Sequence, residues 1–299
     1  MIPLQLINLL CLASAAVATP NSLAVNGSSF KYLVSFGDSY SQTGFSITGA
    51  KPSTSNPIGN PAFPGYTTTN GNNWITYLLQ PASPTTLLSY NFASGGATTD
   101  ASLVKPFQPT VLSLIDQVTL FTTHLSLSSS TSTPPVTPSN TLFAIWIGVN
   151  DVGNAFSSAT WPSLSQEITT QYLSQVQTLY SSGARNFLFL TVPPIQLTPM
   201  VLAESNATQT QEGAAVEAYN ALLAKGIKEF EGKNEGVTTW VFETSGPFEE
   251  AIKSPKSYGA RDASCYDADG TSCLWFNNYH PGQAIHKLVA EGVAALVGL

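Results

Sequence analysis

Short apolar runs closed by glycine or proline recur along the chain, spaced widely enough to hold a helix between one run and the next. Lys31–Phe36 (KYLVSF) stops at Gly37, Leu87–Ala93 (LLSYNFA) stops just before the pair Gly95–Gly96, and Thr141–Ile147 (TLFAIWI) stops at Gly148. Asn186–Val192 (NFLFLTV) stops at Pro193–Pro194, and Val237–Phe242 (VTTWVF) makes a fifth. Runs of this length, rich in β-branched and aromatic residues and bounded by turn formers, predict buried strands. Between them lie segments of helical period: Ser163–Tyr180, Gln209–Glu231 and Gly282–Val297, with weaker ones at Val111–His124 and Trp74–Leu79. In the second, Val216, Tyr219, Leu222, Leu223, Ile227 and Phe230 recur at helical spacing, which predicts a core-facing stripe.

Strand and helix in alternation predict an α/β fold, a parallel sheet covered by helices on both faces. Ligands of such sheets bind beyond the carboxyl ends of the strands, so the residues that follow each strand are where chemistry is expected. Two long segments break the periodicity. Ser126–Pro138 is polar and proline-bearing and reads as an exposed loop, whereas Gly49–Asn73, with Phe63 and Tyr66, is long enough to be an active-site loop.

The first eighteen residues change the picture of where the protein works. They carry no charged side chain and end in Ala16–Val17–Ala18, which predicts a signal peptide cleaved before Thr19. The run is too short to span a membrane and no later apolar stretch is long enough, so residues 19–299 are expected to be one soluble catalytic domain outside the cell. Asn26 and Asn206 stand in glycosylation sequons. With Cys11 in the leader, Cys265 and Cys273 remain; in an oxidising compartment they are expected to pair, with two free thiols as the alternative. Eighteen acidic against eleven basic residues give a net charge of -7, which disfavours nucleic acids and anionic membranes as partners. Only 10% of residues are charged, a surface suited to uncharged ligands, and a monomer is expected.

The candidate chemistry gathers at the strand ends. The first run leads into Gly37–Asp38–Ser39, where a serine on a strand-to-helix turn would expose its hydroxyl. The second leads into Ser94–Gly95–Gly96–Ala97, whose glycines let a backbone N–H approach a ligand, and the third into Gly148–Val149–Asn150–Asp151. Each alone would pass for an ordinary turn. Of the histidines, His124 reads as a solvated helix end and His286 as a surface residue of the last helix. His280 lies in WFNNYHPG, where Pro281 can open that helix and hold the preceding residue extended. A serine hydroxyl needs a base within hydrogen-bond reach, which His280 can supply. The N–H groups of Ser39 and Gly96 and the Asn150 amide could then stabilise an oxyanion. No nicotinamide or phosphate-loop pattern competes for these positions, and no cofactor is expected.

These four segments resemble the GDSL, or SGNH, hydrolases, especially the fungal secreted acetylesterases classed as carbohydrate esterase family 16. The match runs through Phe36–Tyr40 with Gly44–Phe45, Asn91–Thr98, Gly148–Asp151 and Tyr279–Pro281. The resemblance implies a three-layer flavodoxin-like fold with a central, mainly parallel five-stranded sheet. It implies metal-free hydrolysis with Ser39 as nucleophile, His280 as base and Gly96 and Asn150 in the oxyanion hole, releasing acetate from acetylated sugars or short hemicellulose oligosaccharides. The chain departs from the pattern at one position: where the family has Asp three residues before the histidine, it has Asn277. An Asn carbonyl can orient the imidazole but cannot neutralise it. Asp267, Asp269 and Glu243 are the alternative supports. Two other readings stay open at this point: an esterase for longer acyl chains, and a carbohydrate-binding glycoprotein on the same fold.

Overall fold

Residues Tyr32–Gly37 form strand β1, and all six are buried, which requires cover on both faces of the sheet. The computed structural model describes residues 30–80, 87–125, 127 and 136–299; the expected signal peptide, Asn26 and most of the loop at 126–138 lie outside the described residues. The remaining strands are β2 (Leu88–Asn91), β3 (Thr141–Trp146), β4 (Asn186–Leu190) and β5 (Thr238–Phe242), each within a predicted run, whereas β1 extends one residue past its run to Gly37. They form one sheet in the order β2-β1-β3-β4-β5. Every pairing is parallel, so the expected "mainly parallel" sheet is wholly so. This is the doubly wound order, in which the chain reverses direction across the sheet between β1 and β3.

The five predicted helices form as α1 (Trp74–Leu78), α2 (Leu114–His124), α4 (Trp161–Ser181), α6 (Asn206–Lys233) and α8 (Gln283–Val297). Three more were not legible: α3 (Val149–Ala155), the single turn α5 (Pro199–Leu202) and α7 (Ser245–Lys253). α8 packs on both α1 and α7, and α4 packs on α2, α3 and α6, giving the two helical layers. The stripe of α6 is buried at Val216, Tyr219, Leu223, Ile227 and Phe230. Capping boxes set the starts of α1 (Asn73 with Thr76) and α2 (Ser113 with Asp116). α8 starts later than the sequence suggests, with Gly282 as its N-cap. Pro281 is instead spent on a bridge to Trp275. One continuous apolar cluster runs from Phe30 to Val297.

Candidate active site

Where β1 ends, the chain turns at once through Asp38, Ser39 and Tyr40. The Asp38 carbonyl accepts from the N–H groups of Ser41 (3.1 Å) and Gln42 (3.0 Å), and its Oδ1 accepts from Tyr40 N–H at 2.9 Å. Gly37 is obligatory: a Cβ there would lie 2.3 Å from the Trp146 carbonyl oxygen of the neighbouring strand. Buried Gln117 closes over the same residue, accepting from Gly37 N–H (2.9 Å) and donating to Gly37 O (2.8 Å) and Leu112 O (2.9 Å). Asn91 Nδ2 donates to Ser41 O (2.6 Å), Asn73 Nδ2 to Ser41 O and Gln42 O, and Thr68 Oγ1 to Ser39 O (2.6 Å). These bonds pin the turn, in which Asp38 Oδ2 is the one side-chain atom buried without a partner among the described residues and Ser39 is only 7% exposed.

His280 reaches Ser39 from the loop between the disulfide Cys265–Cys273 and α8. That loop is pinned by Phe276 N–H to His280 O (2.9 Å), Gly282 N–H to Leu274 O (2.7 Å) and Asp267 N–H to Trp275 O (3.0 Å). The His280 Nε2 is 2.8 Å from Ser39 Oγ, and its Nδ1 is 3.0 Å from Asn277 Oδ1. Asn277 Oδ1 also accepts from the backbone N–H groups of Tyr279 (2.9 Å) and His280 (2.8 Å). Those two donors can face only an acceptor, so they hold the amide with its oxygen toward the ring. Nδ1 must then carry the proton, and the lone pair on Nε2 is left for the serine hydroxyl. The backbone therefore fixes the tautomer that a misoriented asparagine would lose.

The alternative supports for His280 lie elsewhere. Asp269 turns back into its own loop, accepting from Thr271 N–H (2.7 Å) and Ser272 N–H (2.8 Å), Asp267 accepts from Asp269 N–H (3.0 Å), and Glu243 is exposed. With no carboxylate bonded to the ring, burial alone sets its titration and lowers the His280 pKa to about 4.

The oxyanion candidates stand on the adjoining strand ends. Ser94 N–H donates to Gly37 O (3.1 Å), which ties the turn after β2 to the end of β1. Gly96 takes φ +80°, and a Cβ there would sit 2.4 Å from that of Phe107. Asn150, on the first turn of α3 where the sequence alone would pass for an ordinary turn, donates one amide hydrogen to Ala97 O at 2.8 Å and keeps the other. The N–H groups of Ser39 and Gly96 make no bond to the described protein. Asn206 is exposed at the start of α6. Thr68 and Gln117 escaped the sequence reading because each acts through contacts far away in the chain.

His286 is a correction. Expected on the surface, it is fully buried, its ring 6.4 Å from those of both Tyr40 and Trp146, and burial with nearby His280 lowers its pKa to about 3. The signal was available: Val289, Ala290, Val293 and Val297 lie three, four, seven and eleven residues further on, all on the inward face of α8. His124 is exposed at the end of α2, as expected.

Three carboxyl groups are also buried near the site, and burial raises the pKa of Asp38, Asp151 and Glu212 to about 7 each. A carboxyl whose pKa is higher folded than unfolded adds stability that is full below about pH 4 and is lost as pH rises through 7. The two histidines act oppositely, their contribution being lost as pH falls from about 6.5 toward 3. Thermal unfolding midpoints should therefore fall between pH 5 and pH 8. Asp38→Asn keeps the acceptor for Tyr40 N–H and should flatten that fall; an unchanged slope in differential scanning calorimetry would remove Asp38 from the cause.

Among the described residues, no group of three His, Cys, Asp or Glu is placed to hold a metal ion. Nor is any described helix long and apolar enough to cross a membrane. A parallel sheet carrying a hydrogen-bonded serine and histidine beyond its switch point has the parts for acyl transfer. The chain belongs to the GDSL-like lipase/acylhydrolase family, which it matches over residues 33–293. It is 50% identical over 284 residues to an acetylesterase from Thermothelomyces thermophilus, spanning 95% of this chain and 93% of that one. An acetylesterase from Hypocrea jecorina is 27% identical over 206 residues, 64% of this chain and 57% of the relative. In three dimensions, a catalytic mutant of an acetylxylan esterase from Geobacillus stearothermophilus shares the fold, with a TM-score of 0.54 at 16% identity over 91% of this chain and 96% of that one. The protein is a carboxylic-ester hydrolase.

Proposed function

We propose that this hydrolase is an exported acetylesterase that releases acetate from acetylated sugars or short hemicellulose oligosaccharides through an acyl-enzyme on Ser39. The observation that carries the catalytic reading is the 2.8 Å contact between Ser39 Oγ and His280 Nε2. Ser39 Oγ attacks the ester carbonyl as its proton passes to Nε2. The negative charge that develops on the carbonyl oxygen meets the N–H groups of Ser39 and Gly96 and the free amide hydrogen of Asn150. The imidazolium returns its proton to the departing sugar hydroxyl, leaving acetyl on Ser39. Water, deprotonated by the same nitrogen, then releases acetate and restores the serine. Asn277 orients His280 without neutralising it, so the imidazolium is supported by a dipole alone. Residues 1–18 are removed on export, and 19–299 form one catalytic domain with glycans at Asn26 and Asn206; the intact mass of protein from a secreting host, before and after endoglycosidase, checks both.

The substrate reading draws on the acetylesterase at 50% identity and on the low charge of the chain. Acetate release from acetylated xylo-oligosaccharides by the purified protein and its Ser39→Ala variant tests it: release confined to the serine form is expected. Release from an aryl acetate with none from the sugar would move the substrate elsewhere, and release by both forms would discard Ser39. A lowered base pKa also predicts the pH profile. His280 is active when neutral, so the acid limb of kcat/KM should fall near pH 4 rather than near the 6.5 of a free imidazole. A limb at 6.5 or above would mean that a negative group supports the ring after all.

A further inference from the structure

Three side chains outside the catalytic set lie against glycines of the segments that follow β1 and β2: Tyr66 on Gly44, Gln42 on Gly95 and Phe107 on Gly96. Tyr66 is 72% exposed, and its ring presses on Gly44, where a Cβ would lie 2.7 Å from Cδ2. Its N–H donates to Thr43 O at 2.9 Å, and two residues later Thr68 Oγ1 donates to Ser39 O at 2.6 Å, so the ring is anchored beside the nucleophile's own turn. Gln42 lies across Gly95, where a Cβ would be 2.2 Å from its Oε1, and its half-buried amide has no hydrogen bond among the described residues. Phe107, 78% exposed, rests on Gly96 and donates its N–H to Gly96 O at 3.1 Å. Both aromatics sit on glycines with positive φ, +77° and +80°, so their places are set by backbone conformation.

Two large aromatic side chains left in water against the turns that carry Ser39 and Gly96, with an unbonded amide against the adjoining Gly95, fit a ligand that is apolar on its faces and hydroxylated around its edge. A pyranose is such a ligand: its C–H faces stack on rings, and an amide can donate to one hydroxyl while accepting from another. An acyl chain would want an unbroken apolar wall, which the amide interrupts. We infer that Tyr66, Gln42 and Phe107 form the subsite that holds the sugar ring of the leaving group beside Ser39. This rests on the acetylesterase reading and names the part of the site that selects a carbohydrate ester.

Calorimetric titration of deacetylated xylotriose into the folded Ser39→Ala protein reads the subsite without turnover. In that background Phe107→Ala and Tyr66→Ala should each weaken Kd about fivefold, as expected for losing one stacked ring, while Phe107→Trp should preserve it. No saturable binding by the parent, or an unchanged Kd in both alanine variants, overturns the inference. With Ser39 present, the ratio of kcat/KM for acetylated xylotriose to that for an aryl acetate should drop about tenfold in the double variant. A parallel loss on both substrates would show that the rings only support the Gly96 turn and would overturn it too. Failure of the acetylesterase reading itself is seen separately, as an absence of Ser39-dependent acetate release from any acetyl ester.

Discussion

Removing the imidazole of His280 by substitution with alanine is expected to lower kcat/KM on an aryl acetate by about 10⁵-fold, or ~7 kcal/mol of transition-state stabilisation. Ser39 Oγ is then a neutral hydroxyl with no group within reach to take its proton, and the departing alcohol has no donor. The loss should not grow when Ser39→Ala is added, because the two side chains act as one unit through a single 2.8 Å hydrogen bond. The residual rate in either variant would come from the oxyanion donors and from binding. Parallel steady-state kinetics on the two single variants and the double variant check this. If the losses multiplied, Ser39 and His280 would be working independently, and the proton transfer proposed between them would not occur.

Asn277→Asp is expected to raise kcat by about 10²-fold above pH 7. A carboxylate 3.0 Å from Nδ1 would attract the imidazolium by about 5 kcal/mol at an effective dielectric constant near 20, of which the amide dipole already supplies a part. The net gain is ~3 kcal/mol in the charged transition state. It is smaller than the span usually associated with an Asp-to-Asn change, because the Tyr279 and His280 N–H groups already hold the asparagine in the productive orientation. The same charge should move the acid limb upward from about 4, so the advantage should shrink and vanish as pH falls below about 5. On this proposal Asn277 would exchange turnover for a base that stays neutral in acid. Profiles of kcat/KM from pH 3 to pH 9 for the two forms check both halves; no gain at pH 8 would mean that charge at position 277 does not limit the reaction.

Much of this arrangement could be read in the sequence because it depends on local pattern. Buried parallel strands need continuous apolar runs, and Gly37 and Gly148 had to be glycine where the chain leaves them, so β1 and β3 and the residues just beyond them were legible. Thr68 could not be found that way: its hydroxyl meets Ser39 O only after the loop at 49–73 folds back on the nucleophile turn. Nor could the state of Asn277 be read, since its orientation is settled by two backbone N–H groups that converge only in the folded loop. α3 was hidden because Gly148 and Asn150 are residues that favour turns, and packing against α4 and α6 decides for helix. His286 was misplaced by its polarity, although its position on α8 is a core position.

Everything proposed for this site depends on His280 activating Ser39 as the nucleophile. Reaction of the folded protein with a fluorophosphonate, followed by peptide mapping, addresses it directly. Label is expected on Ser39 in the native chain, formed at a rate that falls as pH drops through about 4, and none on the same timescale in His280→Ala. Label at another residue, or equal labelling of Ser39 with and without His280, would contradict it.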